Sequence, residues 1–209
     1  MIYFTETLTT LYILFWSSEL DRTTLDTLKK ASLFWCAANL YQVLWCIFFR
    51  KIFLDSLYMS TTVMALSALS LIGAHNVLTE GLEASMVLTL TRIPIAIHAS
   101  WLVAATFVNV NIWVSLLGMC LEKQLALAFL SAYLGVALGC YLCISSGDVS
   151  YGLTFAWSFY GLSDKTQNDC EVSLTMGRVA TQGLAFTEKV FMYVLLVVSI
   201  SFTYWSSSP

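Results

Sequence analysis

Residues Ile93 to Gly118 read IPIAIHASWLVAATFVNVNIWVSLLG, with no Asp, Glu, Lys or Arg among them. A helix needs about 20 consecutive apolar residues to cross a bilayer, and this run is longer than that. It shows no alternation of apolar and polar residues at period two, which a membrane barrel strand would need to separate lipid from lumen. The stretch therefore reads as a helix whose solvent is lipid.

Working outward, the same reading applies to Gln124–Ile144, which is also free of charge, and to Leu57–Ala74, bounded by Asp55 and a His75–Glu83 loop. It applies again to Ala31–Phe49, which Arg50 and Lys51 close. Three further segments are weaker. Residues 7–18 are apolar but short, 149–162 are short and aromatic-rich, and 179–205 are interrupted by Glu188 and Lys189. The expected fold is an all-α polytopic transmembrane helix bundle, a single integral membrane domain over residues 1–209. Its candidate spans are 7–18, 31–49, 57–74, 93–118, 124–144, 149–162 and 179–205. About six of these cross, within a range of five to seven.

Composition agrees. Hydrophobic residues make up 58% of the chain and charged residues 11%, against roughly a quarter charged in a soluble domain. The net charge of −3 is scattered, without a basic stripe, so nucleic acid is excluded as a partner. Residues Met1 to Ser18 lack a basic n-region and carry Glu6, so they do not read as a cleavable signal. Pro94 suits a helix first turn, which places a helix start near Arg92 and makes Glu83–Thr91 a connection. Orientation is undetermined. Arg22, Lys29, Lys30 and Arg92 fall on one side and Arg50, Lys51, Lys123, Lys165 and Arg178 on the other, too even for the positive-inside rule.

Cys36, Cys46, Cys120, Cys140, Cys143 and Cys170 carry no redox or metal signature. Cys140 and Cys143 form a C-x-x-C inside an apolar span, where Cys packs as a small hydrophobe. Trp16, Trp35, Trp113 and Trp205 sit near span ends as interfacial aromatics do. Trp45, Trp101 and Trp157 lie deeper, where an indole needs a partner for its N–H or a ligand to stack on.

Polar groups inside a membrane are functional candidates because each is costly unless paired. They are Asn39, Gln42, His98, Asn109, Asn111, Gln182 and Glu188. His98 and Trp101 share a helix face, which Ala105 and Asn109 continue, and the small Ser100, Ala104 and Ala105 admit a neighbouring helix or a flat ligand. The bland alternative pairs Asn109 with a facing helix and His98 with a backbone carbonyl, while Glu188 is neutralised by Lys189 or snorkels. No nucleophile motif, zinc helix, phosphate loop or paired carboxylates occur, so no enzyme is expected.

The core of the first stretch, W-x-x-x-A-T-x-x-N at Trp101, Ala105, Thr106 and Asn109, resembles the signature of the translocator-protein family. This family is also called tryptophan-rich sensory or TspO/MBR-related. Pro94 lies seven residues before Trp101, a spacing similar to that of the family's larger, divergent branch, with Ser100 where that branch usually has Gly. Asp148–Leu162, DVSYGLTFAWSFYGL, resembles the branch's later span through Ala156, Trp157 and Gly161. Asn39 with Trp45 is similar to its N-x-x-W region, at a different spacing.

The resemblance implies a helix bundle with an internal apolar pocket that binds tetrapyrroles, sterols or aromatic compounds without catalysis. Trp101, Ala105 and Asn109 would line or support that pocket, with His98, Trp45 and Trp157 as further ligand-contacting candidates. Extra N-terminal segments distinguish this chain from the short five-helix members.

The expected function is thus a non-catalytic integral membrane protein holding a flat hydrophobe such as a tetrapyrrole, either a porphyrin or a chlorophyll, with membrane lipid as its surroundings. An alternative is an accessory or linker subunit among other membrane-protein subunits, such as those of a photosystem–antenna supercomplex. Peripheral chlorophylls would then be ligated by His75, His98, Asn109, Gln42 or Glu188, since magnesium accepts nitrogen or oxygen. A transporter is the weaker option, because Pro94 lacks a counterpart in a second repeat. The compartments weighed are a plastid thylakoid or mitochondrial membrane and, otherwise, a bacterial inner membrane.

Overall fold

The computed structural model describes residues 2–16, 20–50, 56–80, 86–168 and 177–206; the side chains at 2–5, 16, 205 and 206 are outside the described set. Among the described residues the regular structure is helix without strand, in the order α1 Ile2–Trp16, α2 Arg22–Phe48, α3 Leu57–Glu80, α4 Met86–Leu116, α5 Leu121–Ser146, α6 Val149–Asn168 and α7 Arg178–Ser206. Each expected segment is a helix. Five of them, α2, α3, α4, α5 and α7, are long and apolar enough to cross a membrane, the lower end of the expected range. α1 falls short on length, since its 15 residues span roughly 22 Å at 1.5 Å each against a hydrocarbon core of about 30 Å. α6 has 20 residues but ends in the polar run Ser163–Asn168.

Three boundaries differ from expectation. α2 starts at Arg22, nine residues before Ala31, because Asp21 caps it by accepting from the Thr24 N–H at 3.1 Å. α3 continues through His75 to Glu80, so no loop begins at His75. α4 starts at Met86, not near Arg92, and holds Pro94 inside it. Proline lacks an N–H for the carbonyl one turn back, yet membrane helices tolerate this where neighbouring groups make up for it. Lys51, Asp55, Glu83, Cys170 and the Trp16 and Trp205 side chains, all used in the sequence reading, lie outside the described residues.

The chain divides into two compact units, Met1–Val103 and Ala104–Pro209. In the first, α2 packs along α3. Leu57, Met64, Leu71 and Leu78 recur every seventh residue on the buried face of α3, which keeps that face on one partner over its length. The Ser67 hydroxyl donates to the Ala38 carbonyl at 3.0 Å. At Gly73 an added Cβ would come within 2.9 Å of the Phe34 ring, so the missing side chain makes room for the aromatic.

In the second unit α6 packs along α7, and α5 touches both. The buried face of α6 carries Tyr151, Phe155, Phe159 and Ser163 at spacings of four. Gly139 on α5 lies where a Cβ would meet Leu195 at 2.9 Å and Phe155 at 3.0 Å, and a Cβ at Gly152 would overlap the Ser199 hydroxyl. Phe191 is edge-on to both Tyr133 and Phe159, with centroids 4.9 and 5.8 Å apart. Lipid is as apolar as leucine, so helices associate there through close packing at small residues, and these glycines supply it. Gly147 ends α5 at φ 67°, a left-handed geometry that favours glycine. Large apolar side chains such as Leu33, Leu40, Leu130, Val197 and Ile200 stay exposed, as a lipid-facing surface requires.

Candidate functional site

A cavity of about 400 Å³ lies in the C-terminal unit, among the end of α4 and helices α5, α6 and α7. Small-molecule sites run from roughly 300 to 1,000 Å³ and combine apolar walls with a few convergent polar groups. The walls here include Phe107, Ile112, Phe155, Phe159 and Leu184, and Gly135 opens space on α5. Among the polar side chains on the lining are Asn111, Gln124, Ser131, Ser158, Thr166 and Glu188.

Their hydrogen bonds decide what the cavity can offer. The Asn111 Nδ2 donates to the Phe107 carbonyl at 2.8 Å and to the Ser131 hydroxyl at 3.0 Å. A carbonyl only accepts, so the amide orientation is fixed and both of its protons are used. The Ser158 hydroxyl donates to the Thr154 carbonyl at 3.0 Å, and Gln124 Nε2 donates to the Met119 carbonyl at 2.7 Å. Glu188 is 5% exposed. The Thr166 side chain hydrogen-bonds its carboxyl, while Oε2 is buried without a partner among the described residues.

Glu188 had an expected partner in Lys189. The structure separates them. Successive helix residues point about 100° apart, and the Lys189 ammonium donates instead to Gln167 Oε1 at 2.7 Å.

The other anticipated residues are distributed. Trp101, Ala105 and Asn109 do lie along one stripe of α4. Trp101 is 47% exposed, Ala105 half-buried and Asn109 buried. None of the three is among the residues lining the cavity, which uses Ala104, Phe107, Val108 and Asn111 from the adjoining face. Trp157 is 68% exposed, with its ring tilted against Tyr160 at 6.1 Å. Cys143 is buried, its sulfur 4.0 Å from the Ser199 hydroxyl, and Cys140 is half-buried.

In the N-terminal unit, Trp45 stacks on Phe49 with centroids 5.0 Å apart, and its buried indole N–H has no hydrogen-bond partner among the described residues. Gln42 is buried beside it in sequence. His75 is fully buried, with the Thr79 hydroxyl 3.5 Å from its Nδ1. His98 has a side-chain partner that the sequence reading did not name: Glu6 of α1, with Nδ1 to Oε1 at 2.6 Å and both side chains buried. Glu6 was legible only as a charge out of place in an apolar segment. Paired with the single histidine among the intramembrane polar groups, it could have been foreseen from the cost of leaving either alone. Among the described residues no group of three or more His, Cys, Asp or Glu side chains could hold a metal ion.

Comparison with known proteins places this geometry in context. No curated protein and no solved structure matches the chain. The model of one family, described as TSPO-like protein, matches residues 1–199. With that match covering nearly the whole helical sequence, the chain belongs to the TSPO-like protein family.

Proposed function

We propose that this TSPO-like membrane protein binds a flat hydrophobic ligand such as a tetrapyrrole, without transforming it, in the cavity of its C-terminal unit. Members of the family are generally non-catalytic binding or sensory proteins, and tetrapyrrole binding is the ligand class the family suggests. The observation that carries the reading is the cavity itself, apolar on most of its walls and supplied with a buried carboxyl and a fixed amide. Its volume of about 400 Å³ is near the lower end for small-molecule sites. It suits a compact aromatic whole or one edge of a macrocycle. In this reading Ala105 and Asn109 support the α4 wall from the neighbouring face, and Trp101 and Trp157 are outward aromatics.

The test is titration of the purified protein with protoporphyrin IX while tryptophan fluorescence is followed. Saturable quenching at micromolar porphyrin is expected, and Ala128→Phe, which fills the cavity from α5, should weaken it at least tenfold. Absence of quenching, or quenching that Ala128→Phe leaves untouched, defeats the proposal.

A further inference from the structure

We infer that the cavity selects ligands that present a hydrogen-bond donor, and a ring N–H in particular, to Glu188. The inference rests on the proposed ligand-binding reading and narrows its chemical class. Three observations carry it. Glu188 is 5% exposed and lines the cavity with Oε2 unpartnered among the described residues. Thr166 already hydrogen-bonds the carboxyl, so a further donor is needed only at Oε2 to leave neither oxygen unpaired. Two of the neighbouring polar groups have spent their donors inside the protein: both protons of Asn111 Nδ2 go to Phe107 and Ser131, and the Ser158 proton goes to Thr154.

What these groups still offer is acceptor capacity. An amide oxygen remains on Asn111, lone pairs remain on Ser158, and Glu188 keeps an oxygen with nothing to accept from. A buried oxygen without a partner is costly. A ligand donor placed there recovers that cost, whereas a ligand carboxylate would bring a charge and only further acceptors into a low-dielectric wall. The cavity is therefore complementary to a flat apolar ring with an N–H on its edge and hostile to an acid at that edge; a porphyrin, whose N–H groups point inward, would enter by its propionate-free edge and leave Glu188 without a donor.

Carbazole and dibenzofuran make the test, since they share a tricyclic shape and differ in N–H against ring oxygen. Binding of each is measured by fluorescence titration to the full-length protein in phosphatidylcholine nanodiscs, with empty discs subtracting lipid partitioning. The wild type should bind carbazole about tenfold tighter than dibenzofuran, the scale of one buried hydrogen bond. Glu188→Leu, apolar and of similar size, should reduce that ratio to about one by weakening carbazole alone.

Equal wild-type affinities, with both ligands lost in Ala128→Phe, would overturn donor selection while leaving the cavity reading intact. A preference for carbazole that survives Glu188→Leu would also overturn it. Binding of neither ligand to the wild type would overturn both readings. Near-identical dibenzofuran affinity in the wild type and Glu188→Leu would show that the variant's cavity is intact and support the assignment.

Discussion

At Gly152 an added Cβ would overlap the Ser199 hydroxyl, while the Ser199 Cβ would stay at an ordinary 3.4 Å. The obstacle to alanine at this position is thus one oxygen atom. Gly152→Ala should destabilise the protein by about 1–3 kcal/mol, the usual cost of overpacking. Ser199→Ala in the same chain should restore most of it. Unfolding midpoints of the two single variants and the double variant in detergent measure this; equal losses in the single Gly152→Ala and the double variant would contradict the packing account. Residue detail of this kind was only partly legible. The W-x-x-x-A-T-x-x-N spacing draws the eye to Asn109, yet the asparagine lining the cavity is Asn111. Two residues along a helix is a turn of about 200°, and a linear pattern cannot tell which side its neighbours will take. Glu188 was legible as a costly group, and its burial by α6 depended on a partner helix the spacing could not supply.

Helices α1 and α2 show how single polar groups seat an element. α1 meets α4 through Glu6 and His98, 2.6 Å apart and buried. Glu6→Ala and His98→Ala should each cost between about 1 and 3 kcal/mol. A double-mutant cycle should return a coupling of about 1 kcal/mol or more; strict additivity would mean that the pair does not hold α1. α2 begins at Asp21, whose carboxylate accepts from the Thr24 N–H and from the Thr23 hydroxyl. These bonds lower its pKa from 3.8 to about 2.

A depressed carboxyl pKa makes the cap's contribution fully present above the unfolded value and lost as pH falls through the folded one. Stability should therefore decline between pH 3.8 and about 2. Asp21→Asn, which caps without titrating, should lose less over that window when thermal midpoints are compared; identical pH profiles would exclude Asp21 as a contributor. The helix starts were the least legible elements. Pro94 looked like a first-turn residue, and α4 instead carries it as an interior one, because the apolar run Met86–Thr91 ahead of it favours continuing the helix in lipid.

Across the whole chain, hydropathy made the class plain, since charge-free runs of membrane length leave helices as the available structure. The number of crossings was less plain, and it has a topological consequence. If the five candidate spans among the described residues, α2 to α5 and α7, are the ones that cross, the residues before α2 and those after α7 lie on opposite faces of the membrane. Reporter tags fused at the two ends of the chain should therefore report opposite compartments; a shared compartment would mean that α1 or α6 also crosses. Within the C-terminal unit, α6 and α7 approach closely where Gly152 meets Ser199, whereas the cavity is walled further along by Phe159, Thr166 and Glu188. The two helices are like tongs with their pivot at the glycine and their tips at Thr166 and Glu188, where the Thr166–Glu188 and Gln167–Lys189 side-chain hydrogen bonds join them. Close packing at the pivot favours widening of the jaws by a swing about it. If the cavity binds as proposed, admission of a guest would then be set at a residue that never touches the guest.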